Sequence, residues 1–196
     1  MTTGQQRARR LVVGISGASG VIYGVRALEL LRELGIETHL IMSRSAEITL
    51  AHETDLKVAQ VKALASICYP AQDIGAAISS GSFQTLGMLV APCSVRSMSE
   101  IATGVTSTLL TRAADVVLKE RRRLVLMLRE TPLHTGHLRT MTTLSEMGTI
   151  IAPPVPAFYA RPKTLDEMID HSVGRALDLF GLDSGTVRRW RETPDG

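Results

Sequence analysis

Residues 11–24, LVVGISGASGVIYG, constrain the fold of this chain more than any other stretch. The apolar run Leu11, Val12 and Val13 breaks into Gly14, Gly17 and Gly20, with Ser16 and Ser19 between the glycines. Val21, Ile22, Val25, Leu28 and Leu31 then recur at three- and four-residue spacings, which is a helical pattern. A strand, a glycine-rich turn and a helix in that order aim backbone N–H groups and the positive end of a helix at one spot. Such a spot is an anion site, and phosphate is its usual occupant. The pattern is neither G-x-G-x-x-G nor G-x-x-x-x-G-K-[ST], so it predicts an α/β fold and a phosphate-bearing ligand without naming the ligand.

The rest of the chain repeats the alternation. Gly35 stops the first helix, and residues 36–42 (IETHLIM) read as a second strand ended by Ser43 and Ser45, which cap a short helix through Glu53. Residues 54–82 are weakly patterned and read as loop-rich. Residues 88–91 (MLVA) form an apolar strand stopped by Pro92; helical stretches follow near 97–102 and 109–120, and residues 124–128 (LVLML) form a further strand. A helix over 138–147 leads to a short strand at 149–152 and a proline-rich loop through Pro162. Thr164 with Glu167 predicts a capping box for the last helix. Short, continuous apolar strands between helices imply a doubly wound parallel sheet covered on both faces, flavodoxin-like or Rossmann-type. The predicted organisation is one domain over 11–182, with polar tails at 1–10 and 183–196.

In such a sheet, ligands sit outside the carboxyl ends of the strands. Those ends deliver Ser16 to Ser19, Ser43, Cys93 to Ser97, Arg129-Glu130 and, from the proline loop, Tyr159. Hydroxyls, glycines and one Arg-Glu pair therefore converge as a pocket for a polar, phosphate-bearing ligand. Glu130 reads either as a local ion-pair residue or as a general acid/base governed by arginine neighbours and burial. Lys119 heads the run Lys119-Glu120-Arg121-Arg122-Arg123, a solvated helix end when taken alone, with Arg112 seven residues earlier on the same face. No histidine is placed to activate Ser19, so hydrogen bonding outweighs nucleophilic attack there. His134 and His137 have helical spacing but lack further ligands for a metal beyond Glu130, and no metal is implied. Tyr159 either packs or donates its hydroxyl to a phosphate.

Composition closes off other classes. The net charge of +3 is slight, and half of the basic excess traces to Arg7, Arg9, Arg10, Arg188, Arg189 and Arg191 near the two ends, without interleaved aromatics, so nucleic acid is not the expected partner. No apolar run reaches the ~18 residues of a membrane span. Cys68 and Cys93 fit no metal or redox spacing and read as free thiols of a cytoplasmic protein.

The segments GISGASG, ETD (Glu53 to Asp55), SSGSFQT, APCS, LLTRAADVVLKERR, RETPLH, PPVPAFY and HSVGRALD, in that order, resemble the UbiX-type flavin prenyltransferases over residues 11–182. The resemblance implies a flavodoxin-like homo-oligomer, commonly a dodecamer, with FMN bound between subunits. It implies transfer of a dimethylallyl group from dimethylallyl phosphate to N5 and C6 of reduced FMN, giving prenylated FMN for UbiD-type decarboxylases such as the one in ubiquinone synthesis. By the same resemblance Gly17, Ala18, Ser19, Ser43, Ser94, Val95, Arg96, Ser97 and Arg129 contact FMN. Lys119, Arg129, Tyr159 and Arg175 grip the donor phosphate; Ser19, Glu53, Lys119 and Glu130 are catalytic, with Arg112 nearby. Departures are few: Met127-Leu128 replaces a common Val-Pro, Arg96 a common Lys, and the C-terminal tail carrying Trp190, which resembles one that covers the site, is short. The rival readings are an FMN-dependent cysteine decarboxylase, which requires a histidine near the flavin that neither His39 nor His52 provides, and an FMN carrier subunit without chemistry.

Overall fold

The computed structural model describes residues 9–190. Arg7 and Arg191 of the basic tails lie outside the described residues.

Six strands, β1 (Arg10–Ile15), β2 (Glu37–Met42), β3 (Ile67–Tyr69), β4 (Gly87–Cys93), β5 (Arg123–Leu128) and β6 (Ile150–Ile151), form one sheet in the order β3-β2-β1-β4-β5-β6. Every pairing is parallel. Successive side chains of a strand point to opposite faces, so Val13 and Ile15 enter one core and Val12 the other. The first core is covered by α1 (Val21–Glu33) and α7 (Leu165–Asp178), through Val25, Leu28, Val173 and Leu177. The second is covered by α4 (Val95–Ala102), α5 (Leu109–Lys119) and α6 (Thr135–Glu146), through Met98, Leu110, Ala114 and Leu144. No described helix is long and apolar enough to cross a membrane.

The chain runs outward from β1 to β3 and then restarts at β4 on the other side of β1. The sheet therefore changes direction between β1 and β4, and a crevice opens above their carboxyl ends. Ser16 closes its floor: its hydroxyl donates to Pro92 O at 2.9 Å and accepts from Ser94 N–H at 2.7 Å. Gly24 brings α1 hard against β4, because a Cβ there would lie 2.3 Å from Ala91 O.

Three local expectations are revised. The weakly patterned stretch after Glu53 contains α3 (Val58–Lys62) and the edge strand β3, whose three residues are too few to show a period. Pro92 does not stop β4: the strand continues to Cys93, which pairs with Leu128 after a register shift beyond Val90. A proline offers no N–H to the ladder, and the irregularity accommodates it. At α7, Thr164 Oγ1 accepts from Glu167 N–H at 3.2 Å, but the Glu167 carboxylate reaches Lys163 N–H at 2.6 Å, one residue before the cap.

Candidate active site

The crevice is lined by Gly17, Ala18 and Ser19 from the β1–α1 turn, Ser94 and Val95 at the start of α4, residues 128–131 beyond β5, and Pro153-Pro154 beyond β6. Its polar groups come from backbone turns and helix starts, and its apolar walls from Val95, Leu128 and the prolines. Gly17 is required by packing, since a Cβ there would come within 2.2 Å of Ser45 Cβ in α2 (Arg44–Glu53). Ser94 caps α4, accepting from Ser97 N–H at 3.2 Å and meeting Ser97 Oγ at the same distance.

Arg129 spans the crevice. Its Nε donates to Ser19 O at 3.0 Å and its guanidinium lies over the Tyr23 ring, 6.0 Å from the centroid. Glu130 is exposed and accepts from Thr131 N–H at 3.0 Å. The burial and ion pairing expected of Glu130 are absent among the described residues, because Glu130 lies two residues beyond the end of β5, in the exposed turn that lines the crevice.

The anion site at the start of α1 is filled from within the chain. The Glu53 carboxylate accepts from Gly20 N–H at 2.9 Å and from Val21 N–H at 3.1 Å. Gly20 has φ 93, a left-handed conformation that suits glycine and turns its N–H toward the carboxylate. Unpaired N–H groups and the helix dipole take the nearest anion, here Glu53 at the end of α2. In this chain the first N–H groups of α1 are thus held by Glu53, and the start of α4, capped by Ser94, stands at the crevice wall.

Beyond the Pro153-Pro154 wall lies a second cavity, lined among others by Met127, Tyr159, His171 and Arg175. The Tyr159 hydroxyl is 3.3 Å from His171 Nε2, and its ring meets Trp190 edge-on at 5.3 Å. Arg175 Nη1 contacts Asp178 at 2.5 Å.

The chain fits one family model, Flavoprotein, over residues 1–176. It is 58% identical over 186 residues to the flavin prenyltransferase UbiX of Escherichia coli K12, covering 93% of this chain and 98% of that one. The crystal structure of AnUbiX (PadA1) in complex with FMN and dimethylallyl pyrophosphate superposes with TM-score 0.94 at 49% identity, over 95% of this chain and all (100%) of that one. A dodecameric FMN-dependent UbiX-like decarboxylase from Escherichia coli O157:H7 superposes with TM-score 0.91 at 49% identity, covering 93% and 99% of the two chains. The chain belongs to the UbiX flavin prenyltransferase family.

As a member of that family, the chain brings Gly17, Ala18, Ser19, Ser94, Val95, Arg129 and Glu130 into one crevice, and Tyr159 and Arg175 into the adjoining one. The other expected residues lie elsewhere. Ser43 caps α2, accepting from Ala46 N–H at 3.1 Å. Arg96 points outward and pairs with Glu100 at 2.8 Å. Ser97 serves the α4 cap. Lys119 closes α5 at the amino edge of the sheet, paired with Glu120 at 2.6 Å, and Arg112 pairs with Asp115 at 2.8 Å. A six-residue strand spans about 20 Å, so Lys119, just before β5, sits roughly a strand's length from Glu130, just after it. The histidines at 134 and 137 stack on each other at 3.6 Å, and His134 Nδ1 accepts from Gly136 N–H at 3.0 Å, capping α6.

The first crevice suits a flat aromatic group: the turn presents only the small side chains of Ala18 and Ser19, Val95, Leu128 and the prolines offer apolar walls, and Arg129 reaches across to Ser19 O. The sequence reading missed His171, although its four-residue spacing to Arg175 puts both on one helix face.

Proposed function

We propose that this chain transfers a dimethylallyl group from dimethylallyl phosphate to N5 and C6 of reduced FMN, and that the prenylated FMN passes to a UbiD-type decarboxylase. One observation carries the reading: two cavities share the Pro153-Pro154 wall, one with the glycine turn, Arg129 and Glu130, the other with Tyr159 and the Arg175 cation. Storage of FMN alone needs no second cationic cavity, which argues against a carrier. A cysteine decarboxylase would need a histidine by the turn, whereas His39 lies within β2 and His52 near the end of α2.

Reduced FMN supplies the nucleophilic N5 and C6. The chain's own residues do the rest. Arg175 and the Tyr159 hydroxyl hold the donor phosphate and stabilise the charge that develops on it as the allylic C–O bond breaks, so no metal is needed. Arg129 fixes the turn carrying Ser19 and adds positive charge at the crevice. Glu130, at the opening, moves protons to the leaving phosphate and from the flavin edge. Ser19 hydrogen-bonds at the flavin edge, and Glu53 acts from beneath it by holding the start of α1. Ser43, Ser97 and the outward-pointing Arg96 lie outside the crevice lining of a single chain and contact FMN where it sits between subunits.

Lys119 reaches a site only in an assembly, so we place it in the site of a neighbouring copy within a homododecamer, with FMN between subunits. Ile48, Leu138, Val155 and Phe158 are exposed apolar side chains suited to such contacts. Free Cys68 and buried Cys93, whose thiol burial pushes up to about 12, suit the reducing cytoplasm.

The test is anaerobic incubation with reduced FMN and dimethylallyl phosphate, followed by mass spectrometry of the extracted flavin. A flavin heavier by one C5 prenyl unit is expected. Unmodified FMN with both the monophosphate and the pyrophosphate would overturn the reading.

A further inference from the structure

Asp178, the last residue of α7, is gripped by two arginines. Arg175 Nη1 reaches one carboxylate oxygen at 2.5 Å, and Arg189 makes a two-pronged contact at 2.9 and 3.0 Å. The Asp178 side chain is only 13% exposed. Burial works to raise its pKa, but the hydrogen bonds from Arg189 and Arg175 outweigh this and hold it below the usual carboxylate range. It therefore stays ionised. Arg189 also lies 3.7 Å from Asp183, which is 71% exposed and well solvated.

Arg189 comes from a segment that folds back along α7. Thr186 Oγ1 donates to Asp170 O at 3.1 Å, in a notch left by Gly174, where a Cβ would sit 2.5 Å from that same hydroxyl. Arg188 Nη1 donates to Ala160 O at 3.3 Å, and Trp190 then meets Tyr159.

The charge count makes the second arginine consequential. Arg175 with Asp178 alone is a neutral pair, and a neutral pair offers little to a phosphate dianion. With Arg189 on the same carboxylate the three side chains carry one net positive charge. The Arg189 fork occupies both carboxylate oxygens in the favoured bidentate geometry, whereas Arg175 uses a single nitrogen and keeps its remaining N–H groups.

We infer that Arg189 sets the affinity of the second cavity for phosphate by neutralising Asp178, which frees Arg175 to turn from that carboxylate to the ligand. The inference rests on the reading that this cavity takes the donor's phosphate. Arg189 is a positioning residue acting through Arg175.

The test is a double-mutant cycle with Arg189→Ala, Asp178→Asn and the double variant. The KM for dimethylallyl phosphate and kcat are measured with saturating reduced FMN, and the Kd of inorganic phosphate by calorimetry. Removing Arg189 is expected to raise KM and the phosphate Kd about tenfold, with kcat falling as well because Arg175 also stabilises the departing phosphate. Adding Asp178→Asn is expected to restore both constants, because no carboxylate is left to hold Arg175. An unchanged KM in Arg189→Ala overturns the inference. So does a double variant as impaired as Arg189→Ala, since that result means the segment's docking matters and its charge does not. If the parent forms no prenylated FMN, the proposed function fails, and the phosphate constants alone decide the inference by the same two criteria.

Discussion

The two edges of the sheet treat their charged residues in opposite ways. At the amino edge, Arg10 Nε donates to Glu37 at 3.0 Å, and His39 lies between Glu37 and the Tyr69 hydroxyl at 2.9 Å from each. Nε2–H of His39 donates to the carboxylate and Nδ1 accepts from the phenol, a neutral tautomer with every capacity used. Phe83 covers this set, edge-on to His39 at 4.8 Å and under the Arg10 guanidinium at 5.1 Å. At the carboxyl edge, Arg129 gives one N–H to a backbone carbonyl, and Glu130 accepts one backbone N–H. Saturated polar groups lock a fold; groups with donors and acceptors left over meet something from outside the chain. The contrast separates scaffold from site without reference to any relative.

The sharpest way to test that separation is Glu130→Gln. Formation of prenylated FMN should fall about 10²- to 10⁴-fold, the usual range for a lost acid/base group. The melting temperature should stay with the parent's, because among the described residues the Glu130 carboxylate bonds only its neighbour's N–H. A variant that unfolds early would place Glu130 in the scaffold and erase the contrast.

Gly24→Ala attacks what both edges stand on. The added methyl meets the backbone oxygen Ala91 O at 2.3 Å, and backbone cannot swing aside as a side chain can. A loss of about 1–3 kcal/mol in denaturant unfolding is expected, together with weaker FMN binding as α1 lifts from β4. Unchanged stability would show that α1 is not pinned there.

His39→Leu does the reverse of Glu130→Gln. It leaves Glu37 and the Tyr69 hydroxyl without their shared partner in a half-buried setting. Stability should drop by about 1–3 kcal/mol, while kcat and KM stay with the parent's. Altered kinetics in a folded variant would show that the amino edge also serves the site.

Much of this was legible in the residues, and the gaps have physical causes. The strand–turn–helix at Gly17 to Val21 and the strands around Leu89 and Leu126 are written in local periodicity, which sequence displays directly. β3 escaped because three residues at a sheet edge carry no pattern. The identity of the anion at α1 escaped because Glu53 is over thirty positions away in sequence and adjacent only after α2 folds. Likewise the Asp178–Arg189 pair depends on a reversal of the chain after α7 that no periodicity announces. Lys119 shows a different limit: it reads as a site residue by resemblance, yet within one chain it stands at the wrong edge.

The smallest expected effect is a pH dependence confined to the amino edge. Burial pushes the His39 pKa below its ordinary 6.5, outweighing the hydrogen bond to Glu37 that would raise it. A depressed folded-state pKa means that the unfolded chain binds the proton more tightly. The neutral His39 contact is therefore worth its full stability above about pH 6.5, and part of that is lost as pH falls through the depressed folded value. Glu37 behaves alike in a lower window: burial acts to raise it, but the bonds from His39 and Arg10 hold it below its ordinary 4.5, so its share is lost only under more acid conditions. Denaturant midpoints of parent and His39→Leu, compared between pH 8 and pH 5, should therefore converge as the pH drops. Parallel curves would mean that His39 titrates identically in both states and that its burial carries no proton linkage.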